Sequence, residues 1–153
     1  MNYNLGQIDY RRAGLERLRE GSILLNRELF AGSVYLSGRA VECILRAVIW
    51  KHDTEIRTRK AALDTGHDLR ELLGRVTQLG VLEEVEYRFE LAIDVQRIGR
   101  LWFNNMRFVP TERMKTIWWK LGESGKRRTL KQAAADYHDK CSAIVERCEV
   151  LCE

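Results

Sequence analysis

The stretch SVYLSGRAVECILRA, residues 33–47, decides how the rest of the chain is read. Val34, Gly38, Val41 and Leu45 recur at helical steps, and adding Ala31 and Val48 gives one continuous seam over roughly Glu28 to Trp50. Gly38 lies in the middle of that seam. A glycine there costs a helix about 1 kcal/mol relative to alanine, so the pattern predicts close approach of a neighbouring helix at this point. Glu42 stands between Arg39 and Arg46, and two readings follow. On a solvent face it pairs with either arginine for a few tenths of a kcal/mol. Half-buried against the seam, it needs a partner and serves to orient an arginine.

Working outward, the same periodicity fills most of the chain. Before the seam, Gly6 to Asn26 reads as an outer helix with one buried stripe of Ile8, Leu15, Leu18 and Leu25. After it, Lys51 to Gly66 is a polar connection. Thr65 and Asp68 suit a helix start, Leu69, Leu72, Leu73, Val76 and Leu79 make its apolar face, and Gly80 stops it. A longer helix is predicted from Leu82 to Phe103 with two stripes. One carries Leu82, Val85, Phe89 and Ala92, the other Leu91, Val95, Ile98 and Trp102, which implies two packing partners and disfavours a lone monomer. Pro110 marks a boundary before a shorter helix over Thr111 to Leu121 and the loop GESGKRR. The last helix opens on the capping-box pair Thr129 and Gln132 and repeats Leu130, Ala133, Tyr137, Cys141, Ile144, Cys148 and Leu151. No strand alternation competes, so the fold class expected is all-α, an antiparallel four- to five-helix bundle.

Composition sets the remaining bounds. At 153 residues with one proline and no low-complexity tract, residues 1–153 read as a single helical domain able to bury a core without disulfides or metal. No apolar run reaches membrane-spanning length and the first residues lack signal-peptide order, so a cytoplasmic, non-membrane protein is expected. Cys43, Cys141, Cys148 and Cys152 lie within apolar helical patterns and read as reduced core thiols. His138, Cys141, Cys148 and Cys152 share a helical face, yet one helix cannot wrap a tetrahedral ion, so neither a metal nor another cofactor is expected. The 26 basic and 22 acidic residues leave a net charge of +4. Its placement is uneven, because Arg113, Lys115, Lys120, Lys126, Arg127, Arg128 and Lys131 face only Glu112 and Glu123 between Thr111 and Lys131.

Three motifs in order, AGSVYLSGRAVECILRA (31–47), GHDLRELL (66–73) and LWFNNMRF (101–108), resemble the HEPN superfamily, helical domains named from higher eukaryotes and prokaryotes nucleotide-binding. The resemblance covers roughly Leu25 to Pro110. It implies a HEPN-like helical bundle, a homodimer, and a setting in prokaryotic RNA targeting, toxin–antitoxin pairs or phage defence. Active HEPN ribonucleases resemble one another in an arginine, four to six intervening residues and a histidine, which cleave RNA without metal by attack of the ribose 2′-hydroxyl. Arginine holds the phosphate and histidine moves the proton.

In RIGRLWFNNMRF that histidine is missing. Arg100 leads after four residues to Asn105, which hydrogen-bonds but does not titrate near neutral pH. Arg46 and His52 match the spacing elsewhere, but six helical positions turn about 600°, so they share a face only if the helix ends between them. His67 beside Asp68 reads first as a capping or packing residue. Trp50, Trp102, Trp118 and Trp119 read first as core or interface residues, with base stacking by the Trp118–Trp119 pair as the alternative. No glycine-rich phosphate loop, GxSxG elbow, HExxH or metal-spaced carboxylate cluster appears. The expectation is a non-catalytic or degenerate HEPN-like domain that dimerises and binds RNA, a nucleotide or a protein partner such as a cognate toxin or antitoxin. Its phosphate contacts would fall to Arg100, Asn105, Arg107, Lys126, Arg127, Arg128 and Lys131. The alternatives are a metal-independent endoribonuclease, using Arg46 with His52 or Arg100 with another base, and a purely structural interaction module.

Overall fold

Helix α2, Phe30–His52, is the element around which the others assemble. Every residue from Ala40 to Ile49 is buried, and a helix enclosed on all sides must be covered on all sides. In the computed structural model, which describes residues 5–58, 66–121 and 128–153, α1 (Gln7–Asn26), α4 (Leu69–Gln78) and α7 (Leu130–Val150) provide that cover. The short α3 (Thr54–Arg57) follows α2, and α5 (Arg88–Leu101) packs against α4 and α7. A 3-10 turn over Asn104–Phe108 and α6 (Thr111–Lys120) complete the order. The described residues are all-helical, without a strand. None of their helices is long and apolar enough to cross a membrane.

The predicted seam of α2 is buried throughout, and Gly38 is closely approached, though not by a helix backbone as predicted. A Cβ at Gly38 would collide with the Trp102 indole, whose Nε1 donates to the Tyr35 carbonyl at 3.1 Å. The approach is thus made by an aromatic side chain lying on the helix.

The outer helix differs from its prediction. Helix α1 faces α2 through Gly14 and Gly21; a Cβ on Gly21 would come within 2.7 Å of Ser37 Oγ, and one on Gly14 within 3.3 Å of the Ala40 carbonyl. Leu18 and Leu25 pack on the core as expected. Ile8 and Leu15, however, are exposed. Counting large residues missed that glycines form the contact line, which lets two backbones approach and turns the aliphatics outward. Along α1 the contacts descend along α2, from Gly14 at Cys43 to Gly21 at Ser37, so these helices are antiparallel. Helices α2 and α7 run in the same direction, with Ser37 beside His138 and His52 beside Leu151. The intervening helices return the chain to the end where α2 began.

Helix α4 has the predicted apolar face and the predicted stop at Gly80, φ 73°, but it starts later than the Thr65–Asp68 spacing implies, because Asp68 is itself the cap, its side chain accepting from Arg70 N–H at 2.8 Å. Thr65, the other residue of that predicted start, lies outside the described residues. Helix α5 begins six residues later than predicted, because residues 81–87 form turns. Its stripe of Leu91, Val95 and Ile98 is buried, as is Trp102 just beyond it. In the second predicted stripe only Leu82 is buried, and Phe89 is 66% exposed. One packed stripe, not two, leaves an argument from α5 for a second partner without support.

Pro110 precedes α6, whose Trp118 is buried against Tyr137 and donates from Nε1 to the Leu101 carbonyl at 3.1 Å. It is a core residue. Helix α7 carries the predicted capping box, with Gln132 N–H on Thr129 Oγ1 and Thr129 N–H on Gln132 Oε1. All four cysteines are free and buried. Burial pushes the Cys148 thiol up to about 12 and Cys152 to about 11.

Candidate functional site

Glu42 takes the buried reading. It is 2% exposed, and its carboxylate collects three partners. Arg39 donates to Oε2 at 2.5 Å, Arg46 Nε donates to Oε1 at 3.0 Å, and His67 Nδ1 lies 2.9 Å from Oε1. Arg46 also donates to the Gly66 carbonyl, tying α2 to the turn ahead of α4. The Arg39 guanidinium is 3.0 Å from His67 Nδ1 as well. A carboxylate facing two guanidiniums is an acceptor, so the consistent assignment has Nδ1–H donating to Glu42 while Arg39 binds its other oxygen. In the neutral ring this leaves the Nε2 lone pair free. Asp68, not His67, caps α4.

His67 lies in an open groove where two of the sequence motifs meet. A hollow of about 410 Å³ is lined by His67, Asp68, Arg70, Gly99, Arg100 and Phe103, with Asn104 at its side. An adjoining one of about 400 Å³ is lined by Arg70, Gln96, Arg97 and Arg100. Gly99 allows this meeting, since a Cβ there would lie 3.0 Å from Arg70 Cγ and 3.5 Å from Leu69 Cβ. The three arginines differ in engagement. Arg70 is held by Asp68 at 3.0 Å, a bond that, with the backbone N–H groups beside it, lowers the Asp68 pKa. Arg97 reaches Asp136 at 3.6 Å. The Arg100 side chain is exposed and makes no hydrogen bond or ion pair with any described residue.

Asp136 extends the basic band onto α7. Besides Arg97 it meets Arg128 at 3.7 Å and Lys140 at 3.4 Å, so one carboxylate gathers three cations. Such a surface keeps a net positive field. Phe103 and Phe108, exposed on either side of Asn105, add aromatic faces, with the Arg107 guanidinium 4.7 Å above the Phe108 ring.

The predicted contacts therefore separate. Arg100 is in the groove and Arg128 joins it through Asp136. Asn105 and Arg107 are exposed on the 3-10 turn, where Asn104 rather than Asn105 lines the groove. Lys131 pairs with Glu28 at 3.0 Å. Lys126 and Arg127 lie outside the described residues. Arg46 and His52 do not form a pair: α2 continues through His52, Arg46 is bound to Glu42 and Gly66, and His52 Nε2 meets the Leu151 carbonyl at 2.9 Å. Sequence reading missed Arg70 and Arg97. The step of three from Arg97 to Arg100 marks one helix face and could have revealed the latter pair. Arg70 needed the packing of α4 on α5.

His138, proposed and set aside as a zinc ligand, is buried and shares a 2.8 Å hydrogen bond with Ser37. Burial lowers its pKa, against a smaller opposing effect of Asp139. Among the described residues no group of three His, Cys, Asp or Glu side chains is placed to hold a metal ion. Comparison of the chain with family models, curated proteins and solved structures finds no match.

Proposed function

We propose that this protein is a degenerate HEPN-like domain that binds the phosphate backbone of RNA in the groove between α4 and α5. The observation that supports this most is Arg100, an exposed guanidinium without a partner among the described residues, beside Arg70, Arg97 and His67 in an open concave surface. Guanidinium groups bind phosphate oxygens in bidentate geometry, and exposed aromatics nearby accept bases by stacking. The HEPN assignment itself rests on the three sequence motifs. With it come a homodimer, a cytoplasmic location and a role in a prokaryotic toxin–antitoxin or phage-defence system. A nucleotide would use the same phosphate contacts, whereas a protein partner such as a toxin or antitoxin would not depend on them.

The test is retention of a labelled RNA pool by purified protein in chelator, across a salt series. Binding that weakens with salt and with Arg100→Ala supports the reading; binding indifferent to both removes it.

One observation favours the ribonuclease as a second reading. His67, oriented by Glu42, shares the groove with Arg100, so a base and a phosphate-binding arginine are brought together from different helices. In this reading His67 Nε2 accepts the proton of the 2′-hydroxyl as its oxygen bonds to the adjacent phosphorus, and the expelled 5′-oxygen takes a proton from solvent, leaving a 2′,3′-cyclic phosphate. Metal-independent cleavage lost in His67→Ala but retained in His52→Ala would establish it over the binding-only reading.

A further inference from the structure

The outward face of α1 carries exposed aliphatic side chains along its length, interleaved with arginines. Ile8, Leu15 and Ile23 are 64%, 39% and 54% exposed, and Leu5 just ahead of the helix is also exposed. With 3.6 residues per turn, Ile8, Arg12, Leu15, Arg19 and Ile23 fall within a sector of about 80° on the side away from Gly14 and Gly21. The side chains of Arg12 and Arg19, inside this stripe, make no hydrogen bond or ion pair with any described residue. Asp9, Glu16 and Glu20 run along one edge of it.

We infer that this face docks on a second copy of the chain, α1 against α1, antiparallel about a two-fold axis. Charge selects both the partner and the register. When residue i faces residue 28−i, Asp9 meets Arg19 of the second copy, Arg12 meets Glu16, and Leu5 meets Ile23. The two-fold repeats each contact, giving four ion pairs and two apolar ones, with both Leu15 side chains beside the axis and Ile8 lying against Glu20. A slip of three residues would set Ile8 on Ile23 but place Arg12 against Arg19, and like charges across a contact are unfavourable. A surface that complements itself in this way fits another copy better than an unrelated chain. One helix per subunit is at the small end of stable interfaces, which begin at about 1,200 Å², so the dimer is reversible.

This gives a surface to the homodimer of the proposed function and rests on that part of it alone, not on the RNA groove. The experiment is sedimentation of the full chain, without RNA, from low to high micromolar concentration. The wild type is expected to dimerise with rising concentration. Arg12→Glu and Glu16→Arg, both at exposed positions, should each raise the dimer Kd roughly tenfold, and the two together should restore it. Ile23→Glu should give a monomer with an unchanged melting temperature. A protein monomeric throughout, a dimer indifferent to the single reversals, or a double reversal that fails to restore association would each overturn the inference. RNA retention by the Ile23→Glu monomer reports on the groove separately.

Discussion

Arg46 and Arg100 are the same residue in opposite circumstances. Arg46 is buried, donates to Glu42 and Gly66, and fastens α2 to the turn before α4. Arg100 is exposed, its side chain without a partner among the described residues, and faces a groove. Removing a partner from the first should cost stability, whereas removing the second should cost binding. Arg46 stands inside the first of the three motifs and Arg100 directly ahead of the third, so position in the sequence alone does not set the two apart. Burial and pairing do.

The largest effect expected follows from the buried side of this contrast. Glu42→Ala leaves Arg39 and Arg46 without their shared acceptor and should cost about 3 kcal/mol in denaturant unfolding, at the low end for a broken buried pair because Arg39 and His67 remain partly exposed. A loss under about 1 kcal/mol would place Glu42 with the surface ion pairs instead. Next is Gly38→Ala. Alanine is the better helix former, yet its Cβ collides with Trp102, so the variant should unfold about 2 kcal/mol more readily. A stabilised variant would show that Trp102 can leave α2 at no cost.

Buried His138 sharpens the same contrast. The folded pKa of His138 lies below the ordinary 6.5, so the unfolded chain binds a proton first as pH falls. Its contribution to stability is present above about pH 6.5 and is lost as the pH falls from there through the folded value. Unfolding of wild type and His138→Gln from pH 8 to 5 should show the pH dependence reduced in the variant; parallel profiles would reject His138 as its source. The smallest expected effect on stability is that of Arg100→Ala, within about 0.5 kcal/mol, as for exposed positions away from special contacts. A larger loss would mean that Arg100 supports the fold.

Much of the helical order was legible because it rests on local rules. The α2 seam, the Gly80 stop and the Thr129–Gln132 cap each need only a few neighbouring residues. The errors came where a second element decides. Ile8 and Leu15 have the spacing of core residues, but glycines made the closer contact with α2. Residues 81–87 carry apolar side chains at helical spacing and still form turns before α5. The Glu42 network was half legible: the arginines at neighbouring helical steps were visible, while His67 arrives from 25 residues along the chain. The groove was least legible, since Arg70 and Arg100 meet only when Gly99 lets α4 close on α5.

Binding of a labelled single-stranded RNA to the wild type and to an Arg70→Ala, Arg100→Ala double variant, each titrated with salt, tests the central claim most directly. The double variant should keep its fold, bind more weakly at every salt concentration, and show a log–log salt slope shallower by about 1.4, as expected for two lost phosphate contacts on a single strand. Equal affinity and equal slope in the two proteins would contradict a phosphate-binding role for the groove.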